Sequence, residues 1–308
     1  MRALVLLALL GACARPAVDR VVTRPLPFGR VTDHVVIISV DGLRPDAIER
    51  FGAPTLQRLI REGGVAPDAQ TILPSTTLPS HTSMLTGVDP TVHGITWNTD
   101  EVSERGYVQV PTVFALARAA GFRTAAFFGK SKLHHVHAPS TLDYVHSLDN
   151  RLPWRRSGER TARLVGRYLE HERPNLMFVH LIEADFAGHL FGWMGRTYGE
   201  AVREADAAVA ALLAHADARF GRGAYTVILT ADHGGHGRTH GTEAWEDTTI
   251  PWIVWGKGVR AGATLPFGIR TTDTAATALW LLGVTVPPEW TGHPVKQAFD
   301  AAVVPVGH

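Results

Sequence analysis

The chain has a single cysteine, Cys13, and it lies in the N-terminal segment. The folded body therefore forms no internal disulfide and offers no thiol nucleophile. Neither sign of charge is in surplus: 30 Lys+Arg stand against 29 Asp+Glu, a formal net charge of +1. A general nucleic-acid binder carries a basic excess, so nucleic acid is not expected as a specific partner. There is no internal repeat and no low-complexity tract. The apolar run Ala3 to Leu10 is too short for a stable bilayer span. What remains is the composition of a packed globular protein: 308 residues, 45% hydrophobic and 19% charged. That length suits one large α/β domain.

The first residues read as a leader. Met1-Arg2 is a positive head, the run to Leu10 is its apolar core, and Leu10-Gly-Ala-Cys13 is similar to a bacterial lipobox. Ala12-Cys13-Ala14 would also serve as an ordinary small-x-small cleavage site. Both readings imply export, to the periplasm or to a membrane through a lipid on Cys13. Residues 1–32 are expected to be leader and tether, and 33–308 a single domain.

Short apolar runs alternate with helical segments through that domain. Strands are expected at 34–40, 124–128, 175–182, 224–231 and 250–255. Helices are expected at 54–62, 80–85, 112–120, 159–171, 200–220 and 274–282. Runs such as Val35-Val-Ile-Ile-Ser-Val40 read as strands buried on both faces. The alternation predicts a doubly wound, mostly parallel sheet with helices on both faces. The stretch 130–157 lacks clean periodicity and reads as a lid or a surface connection.

Three of the apolar runs lead into aspartates: Asp41, Asp185 and Asp232. Open α/β sheets bind ligands beyond the carboxyl ends of their strands, so these acids can converge. His189 follows Asp185 by four residues, one helical turn, which places both side chains on one face. Asp232-His233-Gly-Gly-His-Gly-Arg-Thr-His240-Gly joins close backbone turns to three imidazoles. Acids and imidazoles in this arrangement point to a metal site. His236 reads as a solvated loop residue, and His240 has the reach to return to the site. The hydroxyl-rich Pro74-Ser-Thr-Thr77-Leu-Pro-Ser-His81 places threonine at a helix start, where it serves either as a structural cap or as a nucleophile near free amide donors.

Ser39-Val-Asp41-Gly-Leu-Arg-Pro, Pro-Ser-Thr-Thr77-Leu-Pro-Ser-His81, His93-Gly-Ile-Thr-Trp-Asn98, Asp185-Phe-Ala-Gly-His189 and Ala-Asp232-His233-Gly occur in that order. The set resembles the alkaline phosphatase superfamily, and within it the nucleotide pyrophosphatase/phosphodiesterase branch (type I phosphodiesterases). The resemblance implies two zinc ions, with manganese as the alternative metal. One would be held by Asp41, Asp232 and His233, with Thr77 touching it as nucleophile. The other would be held by Asp185, His189 and a late histidine, with His240 ahead of His236 and His293. Thr77 is preferred to Thr76 because it directly precedes Leu78-Pro79. Asn98 matches the asparagine that donates to a phosphoryl oxygen. The implied reaction is phosphodiester hydrolysis of a small-molecule phosphoester through a covalent phospho-threonine.

The chain departs from the branch in two ways. Its last histidine candidate is only seven residues beyond His233, and the insertions that bind substrate in larger relatives are missing or reduced. Three other readings share the same residues: a phosphomonoesterase or phosphonate hydrolase, an envelope phosphoryl-group transferase, and a non-catalytic metal-binding envelope protein. Lys130, just past the 124–128 strand, is the nearest candidate to hold extra phosphate charge, and a solvated lysine is the preferred reading.

Overall fold

The structure, a computed structural model, describes residues 29–148 and 153–301. The expected leader and its Cys13 lie outside these residues. Eight strands form one sheet: β1 (Val35–Val40), β2 (Gly64–Gln70), β3 (Thr124–Phe128), β4 (Tyr144–Ser147), β5 (Leu176–Leu181), β6 (Thr226–Thr230), β7 (Thr249–Gly256) and β8 (Ala263–Thr264). Their order is β4-β3-β5-β1-β6-β7-β2-β8. The five strands from β4 to β6 run parallel, and β7 alone runs against its neighbours. The sheet is therefore mostly parallel, as the alternating pattern predicts.

β1, β3, β5 and β6 are buried at every position. That is the signature of strands covered on both faces, and β-branched and aromatic side chains fill such positions well. Two groups of helices supply the cover. Arg196–Phe220 packs on Ser157–His171, Glu183–Phe191 and Pro54–Glu62. Asp273–Leu281 packs on Thr77–Thr86 and Val113–Ala119. Ile37, Ile38 and Phe178 are fully buried between them. Truncating Phe178 to alanine would cost about 3–5 kcal/mol.

The strands that the apolar pattern leaves out are the peripheral ones. β2 reads Gly-Val-Ala-Pro-Asp-Ala-Gln and carries Pro67 at the irregularity between Ala66 and Ala69, where a missing N–H is tolerated. β4 is half-exposed at the sheet edge. The stretch 130–157 is thus partly framework: Ser131–Val136 forms a 3₁₀ turn and β4 pairs parallel with β3. Among the described residues no helix is long and apolar enough to cross a membrane.

Candidate active site

The four central strands β3, β5, β1 and β6 lie side by side and end on the same edge. Lys130, Asp185, Asp41 and Asp232 follow those ends within four residues. Gly42 makes the turn after Asp41 possible. Its φ is +71°, and a Cβ there would stand 2.9 Å from the Asp185 backbone. The Gly42 N–H donates to Asp232 Oδ1 at 3.1 Å, which ties two of the strand ends together.

Thr77 is the first residue of the helix Thr77–Thr86, and every residue of that helix is buried. Thr76 holds the capping position, yet its side chain makes no capping bond. Ordinary N-capping therefore does not account for the hydroxyl pair. Thr77 Oγ1 lies 3.5 Å from His233 Nε2 and 3.4 Å from Lys130 Nζ. The Leu78 N–H donates to Asn98 Oδ1 at 2.9 Å, which leaves the Asn98 amide N–H₂ free to donate elsewhere.

The histidines are oriented by backbone carbonyls. Nδ1–H of His233, His189 and His240 donates to the carbonyls of Gly234 (2.8 Å), Arg238 (3.1 Å) and Ser75 (2.9 Å). Each Nε2 is thereby left as a lone pair, and each faces more lone pairs. His233 Nε2 stands 3.4 Å from Asp41 Oδ1 and 3.3 Å from Asp232 Oδ2. His189 and His240 Nε2 stand 3.0 Å apart, and 3.3 and 3.6 Å from Asp185 Oδ1. Those three carboxylate oxygens, all buried, have no hydrogen-bond partner. Orphaned acceptors aimed at one another call for cations between them, and a histidine tied through Nδ1–H to a carbonyl is the usual metal-ligand arrangement. Two groups of ligand atoms are compact enough for an ion: Asp185/His189/His240 and Asp41/Asp185/His233. Asp232 stands beside the second group. The donor set of carboxylates and imidazoles fits zinc or manganese.

Electrostatics agree with that geometry. Burial, reinforced by His240, lowers His233 to about 3, so its imidazole is neutral at any ordinary pH. Burial also pushes Asp232 well up, with the Asp41 charge adding to it. Burial works to raise Asp41 as well, but the Lys130 ammonium and a bond from His180 override it and hold the carboxyl well below the usual range. The Asp185 carboxylate beside it raises His189.

The structure thus gathers Asp41, Thr77, Asn98, Asp185, His189, Asp232, His233 and His240, with Thr77, Asn98, Asp185, His189 and His240 lining one cavity and the other three buried beside them. The other late histidines stay away. His236 Nδ1 pairs with the buried Asp247 at 2.8 Å, and Asp247 also accepts from Thr242, so this pair pins the loop that carries His240. His293 is exposed and its backbone N–H is held by Asp273.

Lys130 corrects the reading of a solvated lysine. Its side chain is only 12% exposed, and Nζ lies 2.7 Å from Asp41 and 2.6 Å from Asp185. The reason is topological: β3 adjoins β5, so the residue just past its end meets the same point as the acids. The strand-end position that marks the aspartates marks Lys130 as well. Pattern reading also misses Lys132, 3.2 Å from Asn98 Oδ1, and His180, which donates from Nε2 to Asp41 at 2.9 Å. The cavity measures about 420 Å³ and is lined by Thr77, Asn98, Lys130, Lys132, Phe186 and His240 among others.

Residues 35–249 match the family model of type I phosphodiesterase/nucleotide pyrophosphatase. The chain belongs to that family. It is 27% identical over 265 residues to an ectonucleotide pyrophosphatase/phosphodiesterase of Caenorhabditis elegans, covering 80% of this chain and 34% of that protein. It is 24% identical to a bis(5'-adenosyl)-triphosphatase of Xenopus laevis, covering 68% of this chain and 48% of the relative. It therefore spans less than half the length of these curated relatives. Murine ectonucleotide pyrophosphatase/phosphodiesterase 5, solved as an inactive threonine-to-alanine variant in complex with AMP, superposes with a TM-score of 0.72 at 14% identity, covering 87% of this chain and 100% of that one. A 2-O GAG sulfatase superposes at 0.68 and 16% identity, covering 87% and 74%. Both share the fold, that of the alkaline phosphatase superfamily.

Proposed function

We propose that this family member is a metal-dependent phosphoester hydrolase with Thr77 as its nucleophile. The observation that carries the reading is the arrangement of three orphaned aspartate oxygens and three Nε2 lone pairs beside a buried threonine hydroxyl. Asp41, Asp232 and His233 would hold one zinc or manganese ion, and Asp185, His189 and His240 the other. When bound, such ions lower the pKa of the threonine hydroxyl and of a water, and offset charge on the phosphoryl oxygens.

The chain's own residues do the rest. Thr77 Oγ1, its proton released, forms a bond to phosphorus while the bond to the leaving oxygen breaks. The leaving oxygen keeps the electron pair and takes a proton from water. A water then attacks phosphorus, the bond to Oγ1 breaks, and Thr77 regains its proton. The Asn98 amide and the Thr77 backbone N–H donate to the phosphoryl oxygens, which favours charge there. Phe186 and Leu190 give the cavity an apolar wall for the leaving group. The leader read in the sequence supports export.

Turnover of bis-p-nitrophenyl phosphate and p-nitrophenyl phosphate by the metal-loaded protein tests this. Hydrolysis of at least one, abolished by Thr77→Ala and by chelation, is expected. Undiminished activity in Thr77→Ala would remove Thr77 as nucleophile. Absence of turnover with metal bound would favour the non-catalytic reading.

A further inference from the structure

Trp193 stands between the segments that carry the candidate ligands. It lies just past the helix Glu183–Phe191 and is buried. Its ring meets His189 at 5.1 Å between centroids and 82° between planes, and His240 at 5.8 Å and 64°. Its indole Nε1–H donates to the Gly42 carbonyl at 3.0 Å, and its backbone N–H donates to the Gly237 carbonyl at 2.7 Å. One residue thus touches the helix that carries His189, the loop that carries His240 and the turn that follows Asp41.

Two glycines make room for it. A Cβ on Gly188 would stand 2.5 Å from the indole, and a Cβ on Gly235 would stand 2.2 Å from it. Gly188 directly precedes His189, and Gly235 follows His233 and Gly234. Neither has a positive φ, so close approach, and not backbone conformation, calls for glycine at both places.

His189 and His240 have little else to fix their rings. Each has one backbone hydrogen bond, from Nδ1–H to the carbonyls of Arg238 and Ser75. Their Nε2 atoms stand 3.0 Å apart, and two lone pairs at that distance repel. An indole has only two side-chain torsions, so once buried it is a rigid wall against which both rings are held. The other end of the brace is the Gly42 peptide. Its N–H holds Asp232, and its carbonyl accepts from Trp193 and from the Tyr198 hydroxyl at 2.9 Å.

Resting on the reading of a metal-dependent hydrolase, we propose that Trp193 is a positioning residue with two separable tasks. Its ring fixes the facing imidazoles of His189 and His240 for one ion. Its N–H ties that pair to the Gly42 turn, which sets Asp41 and Asp232 for the other ion and for the nucleophile.

The test uses the full chain, stripped of metal and titrated with zinc against a chromogenic chelator, well below the melting temperature of each variant. The ion in question is the one that His189→Ala abolishes. Trp193→Leu removes ring and N–H, and should weaken that ion by about 10–100-fold while the other stays within a few-fold. At saturating zinc it should lower kcat on the better chromogenic ester by about 10–100-fold, with KM changed by less than about 3-fold. Trp193→Phe keeps an aromatic ring without the N–H, so kcat should fall by about 10-fold while the ion is held within a few-fold of wild type. Gly188→Ala drives a methyl group into the indole and should weaken the same ion; added to Trp193→Leu it should cost little more, because both changes act through one contact. If Trp193→Leu does not fold, Trp193→Phe and Gly188→Ala carry the test. Variants that bind both ions and turn over as the wild type does, and differ only in melting temperature, would reduce Trp193 to packing and overturn the proposal. Equal weakening of both ions would overturn it too. The titration needs no turnover: selective weakening of one ion in a protein that hydrolyses neither ester would refute the hydrolase reading and leave the task of the ring standing. A wild type that binds no zinc would overturn both.

Discussion

The two halves of the site are held in different ways. Asp41, Asp232 and His233 follow strands directly, are fully buried, and are fixed by several bonds each. Beneath them lies a second buried layer. Nδ1–H of His81 donates to the Thr77 carbonyl at 2.8 Å, and its Nε2 accepts from Ser39 at 2.9 Å. The outer half is looser. His189 sits near the end of the helix Glu183–Phe191 with its side chain 45% exposed, and His240 arrives on a loop pinned by Asp247. The inner half is preorganised for the nucleophile, where small displacements cost most in rate. The outer half meets water through His189, while the Asp185 and His240 side chains are nearly buried.

Thr77→Ala removes the atom that both halves serve. It should cost at least about 10⁴-fold in kcat, read on the better of the two chromogenic esters, while metal content stays near wild type. Retained metal without activity would separate the hydroxyl from the centre that surrounds it. The halves themselves separate under graded chelation. The outer ion should leave at lower chelator concentration than the inner one, and His189→Ala should lose about one equivalent of metal by elemental analysis while keeping the other. Loss of both ions together would erase the distinction.

Asn98→Ala should lower kcat by about 10²–10³-fold with little change in metal content, as expected for one donor to the transition-state oxygens. His180→Phe probes the inner half from beneath. It removes the bond to Asp41 Oδ2 and should weaken metal affinity by about 10–100-fold, measured by competition with a chromogenic chelator. The same change should leave affinity at the outer half within a few-fold.

The smallest effect lies away from both halves. His93 bonds to the Ser83 hydroxyl at 2.9 Å, and burial lowers its pKa from 6.5 to about 4. The unfolded chain therefore binds a proton there before the folded one does. Stability is intact above pH 6.5, falls between 6.5 and about 4, and levels off below, for a total of about 3 kcal/mol from this group. His93→Gln should flatten that part of the acid-unfolding profile without changing turnover at pH 8. An unchanged slope would assign the acid sensitivity to other groups.

How much of this the sequence reveals follows from the same contrast. β1, β3, β5 and β6 are legible because strands buried on both faces must be apolar throughout. β2, β4 and β8 are not, because edge or bulged strands need no such pattern, and Pro67 argues against one. Asp41, Asp185 and Asp232 stand out because acids at buried strand ends have no packing rationale. Lys130 meets the same rule as a strand-end candidate, yet a lysine in a polar stretch reads as solvated until the strand order puts β3 beside β5. The sequence puts His240 ahead of His236 and His293, and three dimensions show the physical difference between them. Each of these histidines sits in a plausible loop: Nδ1–H of His240 goes to the Ser75 carbonyl and that of His236 to the Asp247 carboxylate, while His293 is exposed.

Anomalous diffraction from zinc-soaked crystals reads the metal centre itself. Two peaks are predicted, one in contact with Asp41, Asp232 and His233 beside the Thr77 hydroxyl, the other in contact with Asp185, His189 and His240. No peak among these six residues, or a single peak at other histidines such as His134 and His137, would contradict the account.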